Sequence, residues 1–304
     1  MEEASGTMRA GRCAIAGRPN VGKSTFLNRV LRQKLVIATP RPGTTRSAVL
    51  GVYADEQTQI AFVDTPGLAR PKSALHRVLV DQAKEGLALA DVVLFMVEAP
   101  KDSAELAPAD QLALEMVGKD APIVLAINKV DRVRDKSALL PLLAHCQEHY
   151  DFASVVPISA TKDKAFEALL AELRQHLPEG PLFEDEDFLT DRPTRFFASE
   201  FIREAVIRRT RQEVPYGCAV VIDRFDEGGK VVRIQASVIV EKASHKGIVI
   251  GSRGSRIKEI GIEARQSIER FIERRVHLEL FVKVAEGWTA DARKAKALAG
   301  GEDV

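Results

Sequence analysis

Residues 17 to 24 read Gly-Arg-Pro-Asn-Val-Gly-Lys-Ser, with every fixed position of a Walker A phosphate-binding loop. The chemistry is anion capture. Gly17 and Gly22 let backbone N–H groups wrap a phosphate, and Lys23 adds a point charge for the β- and γ-phosphates. A helix starting at Lys23 aims its positive end at the same anion. Ser24 offers a hydroxyl to magnesium, and Val21 and Thr25 complete the candidate nucleotide contacts of the loop. An apolar run precedes the loop (Cys13 to Ala16), and Phe26, Leu27, Val30 and Leu31 follow at helical spacing. Strand, loop and helix in that order are the context the motif requires.

The residues that would complete a guanine-nucleotide site come later, in order. Asp64-Thr65-Pro66-Gly67 ends an apolar strand. Asp64 would hold magnesium through water, and the Gly67 N–H would report on the γ-phosphate. Asn128-Lys129-Val130-Asp131 follows the apolar run Ile123–Ile127. A carboxylate at Asp131 accepts from the ring N–H and exocyclic amine of guanine, which adenine lacks, so adenine would leave buried groups unpaired. Asn128 would serve the other edge of the base and the neighbouring loops, and the Lys129 stem would lie along the ring. Ser159-Ala160, after the run Val155–Ile158, would present a backbone N–H to the guanine carbonyl. Thr44 and Thr45 are the candidates for a triphosphate-dependent magnesium ligand. The sequence favours Thr45 slightly and leaves Thr44 open. Lys23, Thr45 and Gly67 are thus the candidate catalytic residues, and Ser24, Thr45 and Asp64 the candidate metal ligands.

Leu68 follows Gly67, where many GTPases carry a glutamine that orients the attacking water. Leucine cannot do so, and slow intrinsic hydrolysis resting on positioning and electrostatics is expected. Asn20 carries two readings: an amide oxygen that helps hold a potassium ion near the phosphates, or an amide that braces the loop.

The elements needed to position these groups are legible as well. Val92–Val97, Ile123–Ile127 and Val155–Ile158 are short continuous apolar runs of the kind that form parallel strands covered on both faces. Leu50–Ala54 and Ile60–Asp64 flank a polar turn and read as a hairpin. The expected fold class is α/β: a P-loop NTPase doubly wound sheet with one antiparallel edge strand, its ligand at the C-terminal strand ends. A smaller α+β domain follows. The expected divisions are a flexible tail (1–8), a G domain (9–177), an acidic linker (178–193), a second domain (194–290) and a basic tail (291–304).

That second domain reads α-β-β-α-α-β, from a basic amphipathic helix over Arg195–Arg211 to a last strand near His277–Val284. Two of its helices meet at Gly251-Ser252-Arg253-Gly254, a Gly-x-x-Gly turn that lets a nucleic-acid backbone approach closely beside a groove for unstacked bases. Lys246, Arg253, Arg256 and Lys258 supply charge around the turn for phosphate contacts. Ile257, Ile260, Ala264, Ile268 and Phe271 share one helical face. His245 is read as an exposed or capping side chain in preference to one that stacks on a base, and Trp288 as a packing residue in preference to a stacking one.

Charge agrees with that division. Net charge is +1, but residues 194–304 hold 21 Lys+Arg against 16 Asp+Glu, after a connector with six acidic residues and one basic. A hydrophobic content of 45% fits a globular protein. No apolar run approaches the roughly 20 residues that span a bilayer. The first nine residues lack a signal-peptide core. Cys13, Cys146 and Cys218 lie far apart without metal-ligand spacing and read as buried thiols of a reducing cytosol. Nothing demands more than a monomer.

Taken together, the chain resembles the Era family of bacterial ribosome-assembly GTPases, which carry a C-terminal type II KH domain. The resemblance runs over roughly residues 9 to 290 and rests on Gly17–Ser24, Thr44-Thr45-Arg46, Asp64–Gly67, Asn128–Asp131, Ser159-Ala160 and Gly251–Gly254. It also rests on Phe188–Arg192 and Phe197–Glu204, which resemble the family's domain junction and first KH helix. It implies GTP and GDP as substrate and product with Mg2+. It also implies binding of the 16S rRNA 3′ end during 30S maturation, and hydrolysis stimulated by RNA. A cytoplasmic location with some peripheral association with the inner membrane follows from the same resemblance. Ser252 and Arg253 depart from the residues common in relatives at the centre of the turn. The competing reading is an RNA-binding scaffold with a structural nucleotide, or a related GTPase acting on another RNA. The single G domain followed by one KH unit, with no second G domain and no catalytic cysteine motif, separates the chain from tRNA-modification and large-subunit relatives.

Overall fold

The computed structural model describes residues 7–39, 41, 44–100, 103–183, 188–210 and 214–300. Positions 1–6 of the expected N-terminal tail, 184–187 of the expected linker and 301–304 of the expected basic tail lie outside the described residues. The chain divides into two compact bodies: Met1–Leu35, Ala48–Arg70 and Val80–Asp191 form the first, and Val36–Ser47, Pro71–Leu79 and Arg192–Val304 the second.

In the first body β1 (Arg9–Ala16) leads through the glycine loop into α1 (Lys23–Val30), and the hairpin is β2 (Val49–Ala54) and β3 (Thr58–Asp64). Then come α2 (Ala74–Ala88), β4 (Val92–Glu98), α3 (Pro108–Glu115), β5 (Ile123–Asn128), α4 (Leu139–His149), β6 (Ser154–Pro157) and α5 (Phe166–Arg174). The first turns of α2 belong to the second body. The sheet order is β2-β3-β1-β4-β5-β6, and only β2 runs antiparallel to its neighbour. Parallel pairing brings the ends of β1, β3, β4, β5 and β6 to one edge of the sheet, where the expected nucleotide residues follow. The apolar runs account for the core. Phe95, Val97, Leu125 and Ile127 pack with Leu142 and Cys146 on one side. Phe26 packs edge-on against Phe62 and Phe166, centroids 5.7 and 5.1 Å away.

The stretch read as a linker is tied down over its described part. The buried Gln59 side chain accepts from Leu182 N (3.0 Å) and Phe183 N (2.8 Å) and donates to Phe183 O (3.2 Å). Val52 N donates to Leu189 O at 2.9 Å. Backbone groups beside the edge strand are thereby satisfied, and the chain through Asp191 groups with the first body.

The second body comprises α6 (Thr194–Arg209), β7 (Cys218–Asp226), β8 (Val231–Val240), α7 (Ala243–Ile250), α8 (Ser255–Ile272), β9 (Arg275–Val284) and α9 (Ala292–Gly300). Its sheet order is β7-β8-β9, antiparallel then parallel, as the α-β-β-α-α-β pattern leads one to expect for a type II KH unit. Ile260, Ala264 and Ile268 of α8 are buried, as their shared face predicts. Two expectations differ. The helix read as basic and amphipathic is buried almost continuously from Phe196 to Ile207, because apolar neighbours cover it and its buried charges are paired in place. Arg203 holds Glu200 at 2.7 Å, and Glu204 holds Arg208 at 2.7 Å. Past residue 291, where a basic tail was expected, α9 buries Ala295 and Ala299 one turn apart.

Those alanines join Leu75, Leu79, Ala219, Ile239 and Trp288 in a cluster on one face of the sheet. Trp288 is fully buried, donates Nε1–H to Gly217 O at 3.3 Å, and has the Arg46 guanidinium 5.5 Å from its ring centroid. Trp288→Ala removes the largest buried side chain of this body and is expected to cost about 3–5 kcal/mol. Urea unfolding followed by circular dichroism should show that loss, with a smaller one for Trp288→Phe.

Candidate functional site

The phosphate loop is built from close approaches. Gly22 has φ 112°, and a Cβ there would stand 2.2 Å from Asn128 Nδ2, so only glycine fits. Lys23 is buried and turned into the loop, donating to Gly17 O at 3.0 Å and Arg18 O at 3.2 Å. Burial lowers its pKa to about 8, against the attraction of Asp64. The ammonium therefore persists at neutral pH in a place largely stripped of water. Ser24 Oγ donates to Asp64 Oδ2 at 2.9 Å across 40 residues of sequence, because the β1–β3 register sets Ile15 beside Asp64. A hydroxyl and a fully buried carboxylate are hard oxygen donors suited to magnesium.

Thr65 is committed inward, with N and Oγ1 both donating to Ile15 O (3.4 and 2.8 Å). It fixes the turn that presents Pro66 and Gly67. A Cβ on Gly67 would lie 2.8 Å from Pro19 N, so this turn touches the phosphate loop. Leu68 N donates to Gly17 O at 3.1 Å, and its side chain is fully buried in the core. Thr25 is half-buried in the first turn of α1. Asn20 is exposed at φ 67°. Thr44 and Thr45 are half-buried and lie in the segment grouped with the second body, where Thr44 O accepts from Arg203 at 2.6 Å.

The base side is organised by Asn128. Its Nδ2 donates to Val21 O (2.7 Å), while Oδ1 accepts from Lys129 N (2.7 Å) and Ala160 N (2.9 Å). The Ala160 N–H, expected to face a guanine carbonyl, is engaged by this amide, and a base must share that bond. Lys129 sits at φ 66°, and its Nζ reaches Asn20 O at 2.9 Å and Glu98 Oε2 at 2.8 Å. Ser159 Oγ donates to Asp131 Oδ1 at 2.5 Å, the main reason the Asp131 pKa lies below the ordinary carboxylate value. A charged acceptor is thus poised for two N–H donors.

Sequence reasoning did not single out Arg18, Glu98 and Asp110. Asp110, nearly fully buried in the first turn of α3, lies 2.8 Å from Arg18 Nε; burial raises its pKa, with Arg18 opposing. The one signal in the sequence was Arg18 inside the loop itself.

In the second body, α7 and α8 meet at the glycine turn. Gly251 has φ 74°, and a Cβ there would stand 2.7 Å from Arg256 Cβ, so the two helices close tightly. Arg253 and Gly254 also have positive φ (50° and 76°). Beside Gly254 the space is open, with only Ile257 Cγ2 at 4.0 Å. Lys246, Ser252, Arg253 and Lys258 are exposed around the turn. Arg256 is half-buried and donates to Ile248 O, bracing the end of α7. His245, read as exposed or capping, is buried instead, since it falls on the inward side of the first turn of α7. Trp288 packs, as expected.

Fold and site define a P-loop guanine-nucleotide-binding protein joined to a KH unit. A family model described as 50S ribosome-binding GTPase matches residues 12–129, and one described as KH domain matches 213–289. GTPase Era of Geobacter metallireducens is 43% identical over 95% of this chain and 97% of its own length. GTPase Era of Pseudomonas fluorescens is 44% identical over 97% of both. Among solved structures, a tyrosine-to-alanine variant of Aquifex aeolicus Era bound to GDP and AlF4− has TM-score 0.91 and 39% identity, covering 96% of this chain and all of that one. Era in complex with MgGDPNP and nucleotides 1506–1542 of 16S ribosomal RNA has TM-score 0.91 and 37% identity, covering 96% and 99%. The chain belongs to the Era family of GTPases.

The Asp131–Ser159 bond sets a pH expectation. With Asp131 as the expected guanine acceptor, which must be ionised to accept twice, GDP affinity should fall as pH drops through its depressed pKa. Ser159→Ala removes the bond that favours the charged form, raises that pKa and moves the acid limb of binding to higher pH. Calorimetric GDP titrations of both proteins, from neutral pH down into the carboxylate range, measure the displacement.

Proposed function

We propose that this chain is a GTP-hydrolysing switch that binds the 3′ end of 16S ribosomal RNA through its KH unit and acts in assembly of the 30S subunit. One observation carries the reading. The Era structure holding both a GTP analogue and that RNA matches this fold over nearly the whole chain, so each half has a counterpart solved with its ligand.

The geometry supports the following residue roles. Gly17, Asn20, Val21, Gly22, Lys23, Ser24 and Thr25 bind the phosphates, and Asn128, Lys129, Asp131, Ser159 and Ala160 enclose the guanine. Asp64, Thr65, Pro66 and Gly67 form the turn that senses the γ-phosphate. Ser24 and Asp64 would hold magnesium, which would neutralise charge on the phosphates, and Thr45 or Thr44 would serve as a triphosphate-dependent ligand. Lys23 stabilises charge that builds on the leaving oxygens. Leu68 faces the core, no glutamine orients the water, and intrinsic turnover is slow. Lys246, Gly251, Ser252, Arg253, Gly254, Arg256 and Lys258 form the RNA approach. Among the described residues no helix is long and apolar enough to cross a membrane. The cytoplasmic setting and any peripheral contact with the inner membrane rest on the family resemblance alone.

GTP turnover should rise when an oligonucleotide matching the 16S 3′ end is added. Gly254→Asp fits the open space and a left-handed backbone that Asp tolerates, but places a carboxylate where a phosphate must pass. It should abolish the stimulation while leaving basal turnover intact. Turnover indifferent to the RNA would sink the partner assignment and leave the GTPase standing. For Asn20, equal turnover in potassium and sodium buffers would eliminate a potassium role and leave the loop brace.

A further inference from the structure

Glu98 is the last residue of β4, and the β4–β5 register sets it directly beside Asn128. Its Oε2 lies 2.8 Å from Lys129 Nζ and 3.6 Å from Arg18 Nη2, and its Oε1 lies 3.7 Å from Arg132 Nη1. Arg18 and Asn20 belong to the phosphate loop, while Lys129 and Arg132 belong to the base side. Lys129 Nζ also donates to Asn20 O at 2.9 Å. The contacts therefore close a ring: Arg18 to Glu98, Glu98 to Lys129, and Lys129 back to the phosphate loop. Asp110 fixes the far side of the same arginine, 2.8 Å from its Nε. The Arg18 carbonyl is one of the two that hold Lys23.

The blander reading is a solvated ion cluster, since Arg18, Lys129 and Glu98 are 28%, 20% and 31% exposed. Exposed pairs add little to stability. Two features argue for more. Lys129 holds a left-handed backbone, disfavoured for a residue with a side chain, and its far end is held by both Glu98 and Asn20 O. Glu98 also joins two loops whose mutual spacing sets whether base and phosphates of one nucleotide can be gripped together.

We propose that Glu98 is a positioning residue for the guanine nucleotide: it holds Lys129 in register with the phosphate loop, so that base and phosphate contacts form as one unit. This rests on the assignment of Lys129 to the base made above. The carboxylate touches no reacting atom, and its effect belongs in binding rather than in the chemical step.

The test is a double-mutant cycle on the full-length protein with Glu98→Gln, Lys129→Met and the pair, reading KM and kcat for GTP and the thermal midpoint. Glu98→Gln should raise KM about three- to tenfold, with kcat and the thermal midpoint unchanged, as a partly screened pair allows. Lys129→Met should raise KM at least as much. In the Lys129→Met background, Glu98→Gln should add nothing further. An unchanged KM in Glu98→Gln beside a raised one in Lys129→Met overturns the proposal, as do strictly additive effects. So does a joint fall of kcat and thermal midpoint, which would mark a general structural role. An unchanged KM in Lys129→Met instead overturns the base assignment beneath it, a distinct failure.

Discussion

A single buried amide organises the nucleotide side of this protein. Asn128 is 2% exposed and makes three short hydrogen bonds, to the loops after β1, β5 and β6. Three of the four hydrogen bonds the amide can make are thus formed, and a buried group so engaged fixes its neighbours in place. The glycine at position 22 exists for the same amide, since its missing Cβ is the room Nδ2 occupies. The candidate phosphate and base sites are thus tied together by one side chain. Much of the ordering cost of recognition is met in folding, the usual advantage of a preorganised site.

The second body has its own buried cation, Arg46. It is 3% exposed and donates to Cys218 O (2.5 Å), Tyr216 O (2.8 Å) and Pro215 O (3.4 Å). Burial lowers its pKa to about 10, which leaves it charged at neutral pH. Its partners are carbonyls, so the charge is met by dipoles rather than by a counter-ion. Ser47 adds a bond to Ala299 O at 2.7 Å, and Leu75 N bonds Thr289 O at 3.1 Å. The segments flanking the candidate γ-phosphate sensors are therefore built into the same body as the glycine turn.

How legible was this from sequence? The motifs at Gly17–Ser24, Asp64–Gly67 and Asn128–Asp131 were, because the chemistry admits few residue types at fixed spacing. The strands were too, because parallel strands buried on both faces must be apolar throughout. Glu98 was not. A carboxylate at a strand end looks like a solvated cap, and only the β4–β5 register sets it beside Asn128. Arg46 and Arg203 were illegible for a related reason: arginine reads as surface until the carbonyls and carboxylates that surround it are known. Alternation also misled at α6, where the charges at Arg203 and Glu204 suggested an open face but are buried in pairs. The helix after residue 291 was hidden by its lysines, although its alanines four residues apart carried the packing signal.

Leu68 shows how fold and chemistry constrain each other. A side chain that follows the candidate γ-phosphate-sensing glycine could point to the nucleotide or to the core. Here it is fully buried among Ala83, Phe95 and their neighbours, while its backbone N–H bonds the first glycine of the phosphate loop. The position thus serves to pin the turn against the loop. Replacing it with glutamine would put an amide into an apolar cluster and leave it unpaired. The fold has therefore closed that route to water activation at position 68. Under the proposed function, that is the arrangement in which a bound partner can set the rate, by orienting a water that Leu68 cannot reach.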